Sequence, residues 1–260
     1  MSKSTSSRTP SSRKPLIYGA GVVLAATLLG FASFRATAPD HSGPSSSSSS
    51  SSSSAADVTE DPDAGVYPEL AQLARRDPGD KLALGRVDAP VVLIEYADFK
   101  CGYCGKFARD TEPELVKKYV DNGILRIEWR NFPIFGAGSE AAARAAWAAG
   151  QQDRFWQYYS AAYAEGAKEK GFDKDQLKAL AQQAGVPDLD RFLRDTDSSA
   201  ARAAVSKDQE EAYGIGATST PSFLINGRPI AGAQSMETFT QAIETAAEEA
   251  RTKGAEGGAK

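Results

Sequence analysis

The pattern of apolar and polar positions along this 260-residue chain predicts several strands. The near-continuous apolar run Val91 to Tyr96 is typical of a strand buried on both faces. Alternating residues from Ile124 to Arg130 predict a second strand. Two further short strands, Ser222 to Ile225 and Pro229 to Ala231, flank Asn226-Gly227, a pair that favours a type I′ hairpin turn.

Helical patterns occupy most of the remaining chain. Between 139 and about 213 the sequence has Ala-rich helical stretches with no strand candidate, which predicts a helical insertion. Within it, Asp173 and Asp188 are candidate helix N-caps. Other helices are predicted at Tyr67–Arg76 and Met236–Arg251.

A further helix should follow the first strand, from about Cys101 to Arg109. Pro113 lacks the N–H that an interior turn needs, so the helix should bend or restart there. Thr111 with Glu114 fits a capping box for the restart.

The N-terminal region has a different character. Four basic residues, Lys3, Arg8, Arg13 and Lys14, and no acidic one precede the uncharged apolar run Leu16 to Phe34. This run predicts a transmembrane segment, and the positive charge before it predicts a cytoplasmic N-terminus and an exported remainder. Because the run is longer than the usual apolar region of a signal peptide, we expect an uncleaved signal-anchor. Cleavage near Ala36-Thr37-Ala38, with secretion, is the alternative.

These changes of character divide the chain into successive parts. The stretch from 35 to 65 contains an unbroken run of serines and buries too little apolar surface to fold, so it predicts a disordered linker. We therefore expect a cytoplasmic basic tail at 1–15, a transmembrane segment at 16–34, the linker at 35–65, one folded domain at 66–251 and a flexible tail at 252–260.

Charge and histidine content exclude several functions. The net charge of −4 argues against a general nucleic-acid binder. The lone histidine, His41, falls in the linker, which excludes a His-based zinc site and a catalytic Cys/His pair. Two cysteines provide only two metal ligands. We expect no metal and no cofactor.

Cys101 and Cys104, the two cysteines of the chain, form a Cys-X-X-Cys motif directly after the first strand. At a helix N-terminus, unpaired backbone N–H groups and the helix dipole stabilise a thiolate on the first sulfur. The second sulfur lies about one turn further on and could attack a mixed disulfide formed by the first. The motif predicts a redox-active dithiol. A static structural disulfide is the alternative, although so short a loop would stabilise the fold little.

Three features in this order resemble the DsbA-like thiol:disulfide oxidoreductases. They are the strand–dithiol–helix unit, the aromatic-rich segment Asp153–Tyr159 in the insertion, and the segment Thr218–Gly227 after it. The resemblance covers about Leu84 to Arg251 and implies an α/β thioredoxin-like fold with an inserted helical domain. We expect the aromatic side chains of the insertion to pack in its core rather than to bind a ligand.

The resemblance also implies roles for individual residues. Cys101 would be the exposed nucleophile and Cys104 the shielded resolving cysteine. Glu95 matches the acidic residue beneath the dithiol, which would relay protons, and Thr220-Pro221 matches a cis-proline loop that binds substrate backbone. Gly102-Tyr103, also assigned to substrate binding, replaces the Pro-His of the best-known strong oxidants and resembles the dipeptide of isomerase relatives.

The leading functional hypothesis is an exported, membrane-tethered monomer that introduces disulfides into reduced exported polypeptides. A membrane redox partner would reoxidise it. A reductase or isomerase of the same compartment is one alternative, and a non-enzymatic, chaperone-like binding domain with a structural disulfide is another. The pairing of Cys-X-X-Cys with Thr220-Pro221 favours an enzyme, whereas no residue separates oxidase from reductase.

Overall fold

The computed structural model describes residues 65–257, so the predicted basic tail, the transmembrane segment and the linker up to residue 64 lie outside the described residues. Within this range, five strands form one sheet in the order β1-β3-β2-β4-β5. β2 and β3 are parallel, and the other neighbouring pairs are antiparallel. The strands are β1 at Ala83–Leu84, β2 at Val91–Ala97, β3 at Leu125–Asn131, β4 at Ser222–Ile225 and β5 at Arg228–Ala231.

Every regular element between β3 and β4 is helical, in the stretch where the sequence predicted a helical insertion. The Asp173 and Asp188 side chains cap two of its helices and accept the N–H groups of Gln176 and Arg191 at 2.9 and 2.8 Å. The helices of the described chain are α1 at Pro68–Ala71, α2 at 102–120, α3 at Ala137–Gly150, α4 at Phe155–Ala162, α5 at Lys174–Gln183, α6 at Leu189–Thr196, α7 at Ser199–Gly214 and α8 at Met236–Gly257.

The side chains of β2 point alternately to the two faces of the sheet. Leu93 packs in a cluster with residues of α2 and α8, whereas Ile94 packs in a cluster on the opposite face. Glu95 therefore shares the face of Leu93. Its neighbours across the sheet are Trp129 on β3 and Phe223 on β4.

The helix after β2 is irregular where the sequence predicted a bend or a restart. The chain winds as a wider π turn over Phe107–Thr111, immediately before Pro113, and helix α2 continues through the proline without a break. Thr111 makes no side-chain cap hydrogen bond, so the predicted capping box with Glu114 is wrong. An uninterrupted helix leaves no new N-terminus for Thr111 to cap.

Other element boundaries also differ from the prediction. Helix α1 ends at Ala71 rather than Arg76, because the backbone N–H groups of Arg75 and Arg76 donate to the Glu128 carboxylate at 2.9 and 2.8 Å. Strand β1 was not predicted, since two residues are too few to show a pattern. Helix α8 extends to Gly257.

The predicted type I′ turn is confirmed. Asn226 and Gly227 have φ angles of 45° and 89°, both in the left-handed region that this turn requires. A Cβ atom on Gly227 would lie 2.5 Å from the carbonyl oxygen of Tyr67, so the approach of α1 also requires glycine here.

Within residues 65–257, no helix combines the length and the apolar character that crossing a bilayer requires. The predicted membrane segment, Leu16 to Phe34, lies outside these residues.

Candidate active site

The loop between β2 and α2 is held in place by Asp98. Its buried carboxylate accepts the backbone N–H groups of Lys100 and Ile134, both at 2.7 Å. Its carbonyl oxygen accepts the N–H of Cys101 at 2.9 Å. Sequence analysis missed this role, although a carboxylate between a strand and a Cys-X-X-Cys motif was the available signal.

Cys101 is the N-cap residue of α2. Its sulfur accepts the N–H of Cys104 at 3.3 Å, and its thiol donates to the carbonyl oxygen of Thr220 at 3.2 Å. A hydrogen bond from the Cys104 thiol is the largest influence on the pKa of Cys101. Together with N–H groups at the helix N-terminus, it lowers that pKa to about 6 against the opposing effect of burial.

Cys104 lies one turn further on and is completely buried. Burial is the main cause that raises its pKa well above the ordinary value, with the Cys101 sulfur as a further cause. Both cysteines are free, so the structure shows the reduced dithiol. The two thiols therefore differ sharply in how readily they ionise.

The expectation of an exposed nucleophile is wrong for the reduced form. Cys101 is only 5% exposed, because its thiol is turned towards the Thr220 carbonyl oxygen and is covered by that loop. Tyr103, between the cysteines, is 67% exposed. A cavity of about 240 Å³ adjoins Cys101, and Gly102, Tyr163 and Lys168 are among its lining residues.

Glu95 is completely buried on β2, and neither of its carboxylate oxygens has a hydrogen-bond partner among the described residues. Burial is the largest cause that raises its pKa well above the ordinary value, and the neighbouring Glu112 and Cys101 raise it further. A carboxyl group in this environment retains its proton at pH values where an exposed glutamate has lost it.

The peptide bond between Thr220 and Pro221 is cis, as the resemblance implied. The loop is joined to the hairpin through the Pro221 carbonyl oxygen, which accepts the N–H of Gly232 at 2.9 Å. Together with the Thr220–Cys101 hydrogen bond, this arrangement places loop backbone directly beside the Cys101 sulfur.

The aromatic residues of the insertion do more than pack its core. Tyr163 stacks on Phe99 of the dithiol loop with ring centroids 5.0 Å apart, and Tyr159 contacts Trp129 of β3 at 5.3 Å. Sequence analysis also missed Glu112, which is buried on α2 although a helical glutamate ordinarily faces solvent.

Metal ligation has no candidate within residues 65–257, where no three His, Cys, Asp or Glu side chains are grouped to hold an ion.

Comparison with known proteins agrees with this geometry. The sequence model of the family described as Thioredoxin matches residues 77–245. The probable disulfide bond formation protein D of Bacillus cereus is 32% identical over 151 residues, which are 56% of this chain and 69% of that protein. The chain belongs to the DsbA-like thiol:disulfide oxidoreductases of the thioredoxin family.

Two other known proteins are similar to this DsbA-like chain. One shares its fold, and the other resembles it over only part of its own length. The crystal structure of oxidised BdbD from Bacillus subtilis has a TM-score of 0.60 at 23% identity, covering 64% of this chain and 92% of that one. A Na⁺/H⁺ antiporter NhaA of Herminiimonas arsenicoxydans is 32% identical over 169 residues, 65% of this chain but only 26% of the antiporter. This last match concerns one part of a larger transporter.

Proposed function

We propose that this DsbA-like oxidoreductase donates disulfides to reduced exported polypeptides through Cys101 and Cys104. The observation that supports this direction is the contrast between the two thiols. The pKa of Cys101 is about 6, whereas Cys104 is buried and its pKa is raised. A stabilised thiolate favours the reduced state of the pair, so the oxidised pair tends to pass its disulfide on.

The reaction begins with the oxidised protein. A substrate thiolate attacks the Cys101 sulfur, the Cys101–Cys104 bond breaks, and Cys104 leaves and takes up a proton. A second substrate thiolate then attacks the substrate sulfur of the mixed disulfide, and Cys101 leaves as a thiolate. The substrate gains a disulfide, and the protein gains two electrons. Glu95 supplies the proton to Cys104 and takes it back on reoxidation.

Substrate binding is assigned to Thr220, Pro221, Gly102 and Tyr103. The Thr220 carbonyl oxygen lies 3.2 Å from the Cys101 sulfur, so an extended substrate chain along this loop would have its cysteine at the reaction centre. The exposed Tyr103 ring offers an apolar contact next to it. A Cβ atom on Gly102 would lie 3.1 Å from Lys168 Nζ, so larger residues at this position would require the lysine to move.

The cellular setting follows from the sequence outside the described residues. We infer a monomer anchored by Leu16–Phe34, with its folded domain outside the cytoplasm and a membrane redox partner that reoxidises the dithiol. Extraction of membranes with carbonate tests the anchor, since an anchored chain stays in the pellet. A mature N-terminus near Ala38 would show instead that the segment is cleaved and the protein secreted.

The direction of exchange is tested by the reduction potential of the Cys101/Cys104 pair. The soluble domain is equilibrated in glutathione buffers, and free thiols are trapped and counted. A potential above roughly −180 mV would support the oxidase, and one near or below about −250 mV would indicate a reductase.

Exchange itself is tested by Cys101→Ser, which we expect to abolish the oxidation of a reduced peptide substrate. Cys104→Ser serves as the companion variant and is offered a peptide that contains a disulfide. Its Cys101 thiolate should attack that disulfide, release one peptide thiolate and accumulate the mixed disulfide, because no second cysteine resolves it. Full activity of the Cys101 variant would refute the mechanism.

A further inference from the structure

A cluster of buried polar side chains lies between the dithiol and the helical insertion. It contains Glu95 on β2, Glu112 on α2, and Tyr159 and Tyr163 of the insertion, each 5% exposed or less. Both Glu95 oxygens and the Tyr163 hydroxyl lack hydrogen-bond partners among the described residues, whereas the Tyr159 hydroxyl is placed to hydrogen-bond with Glu112. Buried polar groups are nearly always paired in folded proteins, so a cluster of unpaired ones requires an explanation.

The members of this cluster connect Glu112 to the dithiol. The Tyr159 ring contacts the Tyr163 ring, with centroids 4.9 Å apart. The negative charges of Glu112 and Glu95 both raise the pKa of Tyr159. Those of Cys104 and Glu95 raise the pKa of Tyr163. Glu112 and Cys101 in turn act on Glu95 through their charges, and neither of them hydrogen-bonds to its two oxygens.

We propose that Glu95 and Glu112 hold one proton between them, and that this pair, rather than Glu95 alone, exchanges a proton with Cys104, an inference that rests on the proposed function. Glu95 is the partner next to the reacting sulfurs. Glu112 is a positioning residue that acts through Glu95.

The surroundings of the pair support a shared proton. Burial is the main cause that raises the pKa of Glu95 well above its ordinary value, and burial raises the pKa of Glu112 to about 7. The titratable groups that face the pair or its tyrosines are Cys101, Cys104, Asp98, Tyr159 and Tyr163. Each of these groups is neutral when protonated and negative when deprotonated, so none of them supplies a positive charge that would favour ionisation of both carboxyl groups. Two neighbouring carboxyl groups in an apolar site ionise together only at a cost in free energy, so at equilibrium near neutral pH one proton remains on the pair.

The shared proton matches what the exchange reaction needs. When the disulfide opens, Cys104 leaves as a thiolate, and the pair gives it a proton. The pair is then doubly ionised until solvent returns a proton. On reoxidation the Cys104 thiol returns its proton to the pair, and the resulting thiolate attacks the mixed disulfide. The electrons move only among sulfur atoms.

The test is the pH profile of the step in which Cys104 acts. An aromatic disulfide reagent, 5,5′-dithiobis(2-nitrobenzoate), releases one chromophore when Cys101 attacks it and a second when Cys104 resolves the mixed disulfide. Both releases are followed by stopped flow from pH 4 to 9 in the full reduced protein. The matched variants are Glu112→Gln and, as a control, Glu114→Gln, which lies on the exposed side of the same helix.

We expect Glu112→Gln to lower the pH midpoint of the second release by about one unit, because Glu95 loses its like-charged neighbour. The first release should keep its midpoint, and Glu114→Gln should match the wild type in both. Glu95→Gln should slow the second release at pH 7 by roughly tenfold or more.

Tyr159→Phe is a second variant, which is needed if Glu112→Gln does not fold. It keeps the ring and removes the hydroxyl that lowers the pKa of Glu112, so the midpoint should move up. If either variant folds normally and the pH midpoint of its second release is unchanged, the proposal of a shared proton is overturned. Absence of the first release from the wild type would instead overturn the proposed function.

Discussion

Cys101 and Cys104 have the same side chain and opposite surroundings. Cys101 caps α2, where hydrogen bonds from Cys104 and from backbone N–H groups stabilise its thiolate, whereas Cys104 lies inside the helix and is buried. The difference comes from position in one helical turn, because only the N-cap residue faces the unpaired N–H groups.

The first prediction concerns the reactivity of these thiols. In the reduced protein, iodoacetamide should alkylate Cys101 with a midpoint near pH 6, since the thiolate is the reactive form. Cys104 should stay unmodified until the protein is denatured. Mass spectrometry of quenched samples measures both rates, and equal labelling of the two cysteines would contradict the structure.

Glu95 leads to the second prediction, which concerns stability against pH. Its pKa is higher in the folded than in the unfolded chain, so above about pH 4.3 the unfolded chain has released a proton that the folded chain still holds. The free energy of unfolding should therefore fall as the pH rises through the folded pKa. Glu95→Gln removes this decline.

Urea unfolding of both reduced proteins between pH 4 and 9 measures the effect. The stability of the variant relative to the wild type should increase steadily with pH. Parallel curves would show that Glu95 is ionised without cost in the folded chain.

Among the elements, β3 has the least expected surroundings. Its alternating polar residues, Arg126, Glu128 and Arg130, are all buried. The Glu128 carboxylate accepts hydrogen bonds from Arg126 Nε and Arg130 Nη2, both at 2.9 Å. Burial is the largest influence on the pKa of Glu128 and raises it. Hydrogen bonds from Arg126, from the Arg75 backbone and from Arg130 outweigh burial and bring that pKa to about 2.

The third prediction is that Glu128→Gln destabilises the fold by about 3–5 kcal/mol, because two arginines lose a buried partner. Denaturant unfolding at pH 7 measures the loss. Asp88→Asn is the control, because it breaks an exposed ion pair with Arg86 at 2.7 Å and should change stability little.

Acid sensitivity of the same network gives a further check. The pKa of Glu128 is depressed on folding, so its stabilisation is complete above about pH 4.5 and is lost as the pH falls towards 2. The difference in stability between wild type and Glu128→Gln should shrink over that interval. If the difference in stability stayed constant over that interval, the substitution would act by a cause other than loss of the ionised Glu128 carboxylate.

At the scale of the whole molecule, one apolar cluster joins the sheet to the insertion. Trp129 of β3 and Phe99 of the dithiol loop pack with Phe155, Tyr158 and other residues of the inserted helices. The insertion therefore shares its core with the thioredoxin-like part, and we expect the two to unfold together.

The fourth prediction follows from this shared core. Phe155→Ala should destabilise the entire folded part by about 3–5 kcal/mol, as expected for loss of a buried aromatic ring. Far-UV circular dichroism and tryptophan fluorescence should report one coincident unfolding transition in both proteins. Two separate transitions would show that the insertion unfolds independently.

Local patterns in the sequence predicted much of this protein. Apolar runs, caps and turn residues placed β2, the hairpin with Asn226-Gly227 and the capped helices of the insertion, because each depends on neighbours within a few residues. The Cys-X-X-Cys motif placed the reactive thiol at a helix N-terminus for the same reason.

The tertiary structure alone decided the surroundings of the site. Glu112 and Tyr163 come from separate segments, and each has an ordinary local pattern that carries no sign of burial beside the dithiol. The same is true of Glu128. Its ion pairs with Arg126 and Arg130 lie on a buried face of β3, and its hydrogen bonds from the backbone N–H groups of Arg75 and Arg76 end α1 early. Sequence was sufficient for most of the strands and helices and for the position of Cys101 at a helix N-terminus, since short-range backbone chemistry specifies them. Burial and charge pairing are properties of the assembled fold, and these set how readily each group holds its proton.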